Sequence, residues 1–236
     1  MPSISLTNPE NITNLTLGTS SEAKLGGNID LSKFNSLVTL DARDIALNSI
    51  VGFENLLALT NVNIQLNKLI GSIPNLSVNT LLLNFNCQAN QLTGSIPDLS
   101  SNTLIRHFNF HNNQLTGSIP ALSSNAELKI FSCHTNQLSG SIPDLSSNTQ
   151  LTTFNCFNNE LTGFDGGTVS NTLNAFRANN NQLTESAINA ILAAFVAAGA
   201  SGGTLVLNDT GNAAPTGQGI TDKNTLISRS WSVTTN

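Results

Sequence analysis

Apolar residues recur at one constant spacing through the middle of the chain, where Leu82, Ile105, Leu128 and Leu151 open successive units. Within each unit, apolar and polar residues alternate through a short stretch such as Phe108-Asn109-Phe110. This period of two is typical of a β-strand with one apolar face. Repetition at a constant interval indicates one supersecondary element stacked on copies of itself, so the sequence predicts a solenoid.

The full unit reads L-x-x-F-x-C/F-x-x-N-x-L-T-G-S-I-P. It resembles the plant-type subclass of the leucine-rich repeat family, whose L-x-G-x-I-P stretch is matched at Leu92–Pro97, Leu115–Pro120 and Leu138–Pro143. The resemblance implies a parallel β-sheet on a concave face, with binding across that face. It does not imply a particular partner.

The segment that returns from each strand to the next is rich in Pro, Ser and Asn. Proline lacks an N–H and fits only where no ladder hydrogen bond is needed, so we expect an extended or turn-like return. The predicted fold class is therefore an α/β solenoid with one parallel sheet on the concave face and a mostly non-helical convex side. A single unit could not bury its Phe and Leu alone, and stacking buries them.

Three segments are expected within one continuous domain: an N-terminal cap over residues 1–36, repeats over 37–183 and a C-terminal cap over 184–236. In the first cap, Ile12, Leu15 and Leu17 suggest a strand, and residues 25–34 an outward loop or short helix. Degenerate end units are expected because they must cover the exposed core with polar surface.

The C-terminal cap is predicted to be a βα structure. Thr184 is a plausible N-cap, and apolar residues at helical spacing predict a helix over Glu185–Ala198 that ends at Gly199. Gly203–Asn208 is expected to be a strand. A short helix capped by Thr221 would then lead to an edge strand at Trp231–Thr235.

One asparagine recurs at the ninth position of each unit beside apolar residues. A buried amide ladder that bonds the backbone of neighbouring turns explains this better than a surface column. Its members are Asn67, Asn90, Asn113, Asn136, Asn159 and Asn181.

The three cysteines, Cys87, Cys133 and Cys156, all occupy the sixth position, where Phe110 stands in another unit. That interchange predicts an apolar core position, because a free cysteine behaves as a small hydrophobe. Reduced thiols are favoured. A disulfide bond between Cys133 and Cys156 remains an alternative, because adjacent strands would bring the two residues within disulfide range.

Charge and hydropathy restrict the function. The net charge is −5 and only 10% of residues are charged, which argues against nucleic acid as a partner. No apolar run approaches the ~18 residues of a membrane span, so no membrane insertion is expected. The start also lacks the features of a signal peptide, so we expect either a virion or extracellular surface reached without a cleaved signal, or the cytoplasm.

No constellation of catalytic residues is apparent, so the protein is expected not to be an enzyme. Asp98 and Asp144 occupy one column after the repeat proline, where turn formation is the simpler role. His111 and His134 should be neighbours on adjacent strands, with His107 nearby. Zinc requires three or four ligands and the surrounding Asn and Ser residues are poor ones, so no metal or other cofactor is expected.

The middle of the strand face is the predicted binding site, because it combines positive charge, rings, an exposed aliphatic group, Ile130, and amides. Aromatic and Arg anchors often contribute most of the binding energy. The candidate residues are Arg106, His107, Asn109, His111, Lys129, Ile130, His134, Asn155, Phe157 and Arg177.

The C-terminal segment, from Gly211 to Asn236, resembles the tail of small leucine-rich repeat proteins encoded by marine phages and some bacteria. That resemblance implies a virion-associated adhesin that contacts a cell-surface protein or glycan, or a neighbouring virion protein. Two alternatives remain: a bacterial surface or secreted binding module, and ice binding through the ladder of Thr-Gly-Ser tripeptides at Thr93, Thr116 and, with Ser in first place, Ser139.

Overall fold

The computed structural model describes residues 8–17 and 26–236. In chain order, the strands of these residues are β1 (Asn14–Thr16), β2 (Gly27–Asp30), β3 (Thr39–Asp41), β4 (Leu47–Val51), β5 (Asn61–Asn63), β6 (Ile70–Gly71), β7 (Asn84–Asn86), β8 (Gln91–Leu92), β9 (His107–Asn109), β10 (Thr116–Gly117), β11 (Ile130–Ser132), β12 (Gln137–Ile142), β13 (Thr153–Asn155), β14 (Glu160–Phe164), β15 (Ala175–Arg177), β16 (Gly203–Val206) and β17 (Trp231–Thr234). The two α-helices are α1 (Glu185–Ala198) and α2 (Gln218–Ser228).

One strand from each turn of the chain joins a ten-stranded sheet in the order β1-β3-β5-β7-β9-β11-β13-β15-β16-β17. All of its pairings are parallel, and equivalent repeat positions lie side by side. Phe108, for example, is in register with Phe85 on one side and with Phe131 on the other. The predicted fold, a solenoid built on one parallel sheet, is therefore confirmed.

A second set of short strands forms on a side face of the solenoid, one after each of the first seven main strands. The pairs β2-β4 and β6-β8 form two small sheets, and β10-β12-β14 forms a third. Thr116-Gly117-Ser118 and its equivalents lie here. Gly117 has φ +77°, a conformation that glycine adopts without steric cost.

The core is a column of aromatic and aliphatic side chains that the main strands direct inward. Phe85, Phe108, Phe131 and Phe154 are almost fully buried, and each ring packs against the next with centroids 5.2–6.2 Å apart. The three cysteines are also fully buried and free, as the interchange with Phe110 predicts. Each unit thus buries its apolar face against its neighbours.

The hydrogen bonds of the predicted asparagine ladder are confirmed, with Asn67, Asn159 and Asn181 buried and Asn90, Asn113 and Asn136 half-buried. Asn113 illustrates the geometry. Its Oδ1 accepts a hydrogen bond from the Leu92 amide at 3.0 Å, while its Nδ2 donates to the carbonyls of Cys87 and Phe110 at 3.2 and 3.0 Å. One side chain therefore joins two turns of the solenoid. Asn212 extends the ladder into the C-terminal cap, where its Oδ1 accepts from the Leu183 amide.

A second buried ladder, which the sequence pattern did not reveal as such, runs through the return segments. Its members have no solvent exposure, and each donates through Nδ2 to two carbonyls of the preceding turn. They are Asn79, Asn102, Asn125 and Asn148. The asparagine that ends each of these return segments is therefore part of the interior, whereas the serines that precede Asn102 and Asn125 are exposed.

The N-terminal cap differs from its prediction. Gly27–Asp30 is a strand paired with Leu47–Val51, not an outward loop or short helix. The side sheet supplies the reason, because it offers these backbone groups partners in β4. Residues 18–25, which include the start of the predicted loop, lie outside the described residues. The predicted first strand is present as β1.

The C-terminal cap follows its prediction with one correction. α1 begins after Thr184, whose side chain accepts the Ala187 amide, and it ends at Gly199 with φ +73°. The second helix was predicted to start at Thr221 but begins at Gln218. Thr221 lies inside that helix, where its carbonyl accepts the Thr225 hydroxyl.

Candidate binding surface on the concave sheet

The outward face of the main sheet carries three columns of side chains, because residues on either side of each buried strand centre point away from the core. The register pairs these positions from strand to strand along the solenoid. Two columns lie within the strands and the third lies two residues beyond them. The members are Asn61, Asn84, His107, Ile130, Thr153 and Ala175; then Asn63, Asn86, Asn109, Ser132, Asn155 and Arg177; then Gln65, Gln88, His111, His134, Phe157 and Asn179.

Three rings of the third column form a continuous stack. The imidazoles of His111 and His134 have centroids 4.1 Å apart and planes inclined by 16°. His134 then stacks on Phe157, also at 4.1 Å, with planes inclined by 9°. The rings are half-buried and cover one another's faces, so their edges are what a ligand would meet.

The imidazoles of this surface are held in their neutral form. Burial, and then the charge of His111, lowers the pKa of His134 to about 4. Burial alone lowers the pKa of His111. At His107, burial and then the charges of Lys129 and Arg106 lower the pKa. Near neutral pH the histidines therefore act as uncharged rings with hydrogen-bonding edges.

Cationic side chains flank the ring stack. Arg106 and Lys129, both exposed, stand one residue before their strands, and Arg106 lies 3.8 Å from Glu127. On the far side of the stack, the Nη1 of Arg177 donates to the Oδ1 of Asn155 at 3.4 Å. The sheet thus presents neutral rings and positive groups on the same face.

A cavity of about 330 Å³ lies at the N-terminal end of the same face. Eight of its eleven lining residues have polar side chains. They include His107 and Asp41, which is held by Arg43 at 2.6 Å. Its lining residues are Thr39, Leu40, Asp41, Asn61, Val62, Asn63, Asn84, Phe85, Asn86, His107 and Asn109.

All of the predicted site residues lie in these columns or directly beside them, but they do not form one cluster. The structure stacks His111 and His134 with Phe157, and it places Asn155 against Arg177. His107 and Asn109 instead line the cavity. Ile130 is half-buried rather than exposed, because it lies beside its strand neighbours His107 and Thr153.

The sequence-based site left out the amides of the first strands. The Nδ2 of Asn84 donates to the Oδ1 of Asn61, and Gln65 accepts from both Asn86 and Gln88. The repeat pattern does place these amides in the outward columns. They were left out of the predicted site because that site was chosen for positive charge and rings.

Metal-binding and membrane-spanning features are absent from residues 8–17 and 26–236. No three His, Cys, Asp or Glu side chains in these ranges are grouped so that they could hold a metal ion. Neither helix there has the length and apolar character needed to cross a membrane. Asp98 and Asp144 each cap a turn through the following Ser amide, as predicted.

Comparison with known proteins relates the chain to solved structures only, since no protein-family model and no curated protein matches it. The leucine-rich repeat ectodomain of the Arabidopsis thaliana receptor kinase GASSHO1/SCHENGEN3, in complex with CASPARIAN STRIP INTEGRITY FACTOR 2, has a TM-score of 0.65 at 24% identity over 78% of this chain and 23% of its own. The Arabidopsis receptor kinase HAESA, in complex with the peptide hormone IDA and the co-receptor SERK1, has a TM-score of 0.59 at 30% identity over 67% of this chain and 28% of its own.

A plant ice-binding protein is a further match, with a TM-score of 0.54 and 20% identity over 69% of this chain and 63% of its own. The chain spans about a quarter of the length of the two receptor ectodomains. Together with the stacked parallel strands and the repeated L-x-G-x-I-P turn, these matches establish the fold. The chain has the leucine-rich repeat fold of plant receptor ectodomains.

Proposed function

We propose that the protein is a non-enzymatic binding protein that attaches to a protein partner through the middle of its concave face. The observation that carries the proposal is the stack of His111, His134 and Phe157 on the same face of the sheet as Arg106 and Arg177. It gives one stretch of the sheet rigid ring edges and positive charge, the side-chain types in which interface binding energy concentrates.

Two further observations support this proposal. HAESA has the same fold, and it was solved in complex with a peptide hormone and a co-receptor. The central face is also preorganised, because parallel backbone pairing and ring stacking fix its side chains before a partner arrives. Preorganisation reduces the entropy lost on binding.

We further propose that the partner is on a cell surface or is a neighbouring virion protein, and that this chain is associated with a virion. The resemblance of the segment from Gly211 to Asn236 to the tails of proteins encoded by marine phages and some bacteria motivates this choice. A bacterial surface or secreted module is the alternative. Mass spectrometry of purified particles from the source material is the direct test. A stoichiometric copy number supports the virion assignment, and absence from particles favours the bacterial module.

The binding surface itself is tested with the double variant Arg106→Ala and Phe157→Ala. Attachment to cells should be abolished without unfolding the protein, because both side chains lie on the outer face and not in the core. A matched control, Gln91→Ala with Gln114→Ala, removes two exposed amides of the side face. Full attachment by the Arg106 and Phe157 double variant would contradict the proposal.

Ice binding is a second candidate, favoured by the side face rather than the concave face. Thr93, Thr116, Ser139 and Thr162 are exposed hydroxyls that recur once in each turn of the side face. The register of that face pairs Thr116 with Gln137 and Ser139 with Glu160, so the hydroxyls are offset along the strands. Thermal hysteresis of the parent, lost in Thr116→Leu with Ser139→Leu but kept in the Arg106 and Phe157 double variant, would establish this activity. No hysteresis in the parent would exclude it.

A further inference from the structure

The cavity at the N-terminal end of the concave face differs in chemistry from the central ring stack. We propose that it binds a neutral, hydroxyl-rich ligand, namely one or two linked sugar residues of a surface glycan. This inference rests on the proposed function, because it assigns a ligand class to the other half of the same face. A glycosylated surface protein would engage both halves.

The first support is the electrostatics of the cavity wall. Asp41 is the acidic residue in the lining, and Arg43 already neutralises it through hydrogen bonds of 3.0 Å from Nε to Oδ1 and 2.6 Å from Nη2 to Oδ2. Burial holds His107 in its neutral form. The remaining polar lining residues are Thr39 and five asparagines, so the cavity offers hydrogen bonds without net charge.

The second support is that two hydrogen-bond acceptors in the cavity lining lack a donor. The Nδ2 of Asn84 is used by Asn61, and the Nδ2 of Asn86 is used by Gln65. The Oδ1 atoms of Asn63 and Asn84, by contrast, are buried and have no hydrogen-bond partner. Buried acceptors without partners are costly. Because these oxygens have almost no solvent exposure, a ligand with several O–H donors reaches them only when the two amides turn toward the cavity, and it then supplies the donors that they lack.

The third support is size and spacing. A volume of about 330 Å³ lies at the low end of the range for small-molecule sites and accommodates one or two hexose rings. The amide rows repeat at the ~4.8 Å separation of paired strands. An extended β-linked hexose chain advances by nearly that distance per residue, whereas an extended polypeptide presents equivalent side chains only every ~6.6 Å. A glycan running along the solenoid axis therefore meets the same groups at each step.

The test is isothermal titration calorimetry with neutral tetrasaccharides of β-1,4-linked glucose, β-1,4-linked N-acetylglucosamine, mannose and galactose. At least one should bind the parent. Asn63→Leu and Asn84→Leu should each weaken it by about tenfold, the effect of losing one hydrogen bond of about 1.4 kcal/mol. Asn63→Ala serves as a second variant if the leucine changes perturb folding, and Gln114→Leu on the side face is the matched control.

The outcomes separate this inference from the central binding surface. Sugar binding should persist in the Arg106→Ala and Phe157→Ala double variant, which lacks only the central anchors. Failure of every tetrasaccharide to bind, or binding that the Asn63 and Asn84 variants leave unchanged, would overturn the glycan assignment while leaving the central surface untouched. Cavity-dependent binding of a sugar-free peptide of the partner would reassign the cavity to polypeptide.

Discussion

The imidazole of His134 lies face to face with the ring of Phe157, with centroids 4.1 Å apart and planes inclined by only 9°. His111 covers the opposite face of the same imidazole. Protonating His134 would therefore place a charge between two rings in a half-buried position, where water can compensate it only in part. Both the stability and the surface chemistry of the concave face depend on keeping this ring neutral.

Acid should destabilise the protein through this stack. The pKa of His134 falls from 6.5 to about 4 in the folded state, so the unfolded chain binds more protons between these values. Stability contributed by the neutral ring is therefore complete above pH 6.5 and is lost as the pH falls toward 4. Thermal melts recorded between pH 5 and 7 measure how far the melting temperature falls on acidification. This fall should be smaller for His134→Phe than for the parent. Equal pH slopes for the two proteins would refute a role for the stack.

Removing an amide of the ladder should be costly. Asn113→Leu leaves the Leu92 amide and the carbonyls of Cys87 and Phe110 without their side-chain partner. The expected loss is about 1–3 kcal/mol in the free energy of unfolding, measured by urea denaturation. Gln114→Leu, the exposed neighbour, should have little effect. An unchanged midpoint for Asn113→Leu would mean that the ladder does not hold the turns together.

Thr135 is a site where the protein can be stabilised. It has φ +56°, a left-handed conformation that is unfavourable for a β-branched residue. Asparagine fills the equivalent position in three other units, at Asn112, Asn158 and Asn180 with φ of 55–56°, whereas Leu66 and Ala89 fill it in two. Thr135→Asn should therefore raise the unfolding free energy by about 0.5–1 kcal/mol. The control is Thr116→Asn, at an exposed position of a strand. A loss of stability in Thr135→Asn would show that the threonine hydroxyl contributes more than the backbone strain costs.

The cysteines should be unreactive in the folded protein. Cys87, Cys133 and Cys156 are fully buried and free, and burial raises the pKa of each thiol. The thiolate is the reactive species, so a thiol reagent should label none of the three at neutral pH until denaturant is added, and then all three. Labelling of only one thiol after unfolding without reductant would instead point to a bridge between Cys133 and Cys156.

The sequence by itself determined the architecture, because the same repeat specifies the stacking of the units, the inward side chains and the asparagine ladder. The constant repeat spacing fixed the stacking, the alternation around Phe108 fixed which side chains point inward, and the recurrent Asn113 equivalents predicted a buried ladder. The helix over Glu185–Ala198 could also be predicted from the sequence, because Thr184 and Gly199 mark its ends. Each of these features depends on local pattern or on contacts with an identical neighbour.

Only the tertiary structure decided what breaks the repetition. The strand at Gly27–Asp30 forms because β4 offers its backbone groups hydrogen-bond partners. The local sequence pattern does not predict this pairing. The buried ladder of Asn79 equivalents and the cavity beside Asn63 depend on how distant turns close over them. Register predicted that His111 and His134 are neighbours, but the face-to-face stacking that neutralises His134 and leaves ring edges for a partner required side-chain packing in three dimensions.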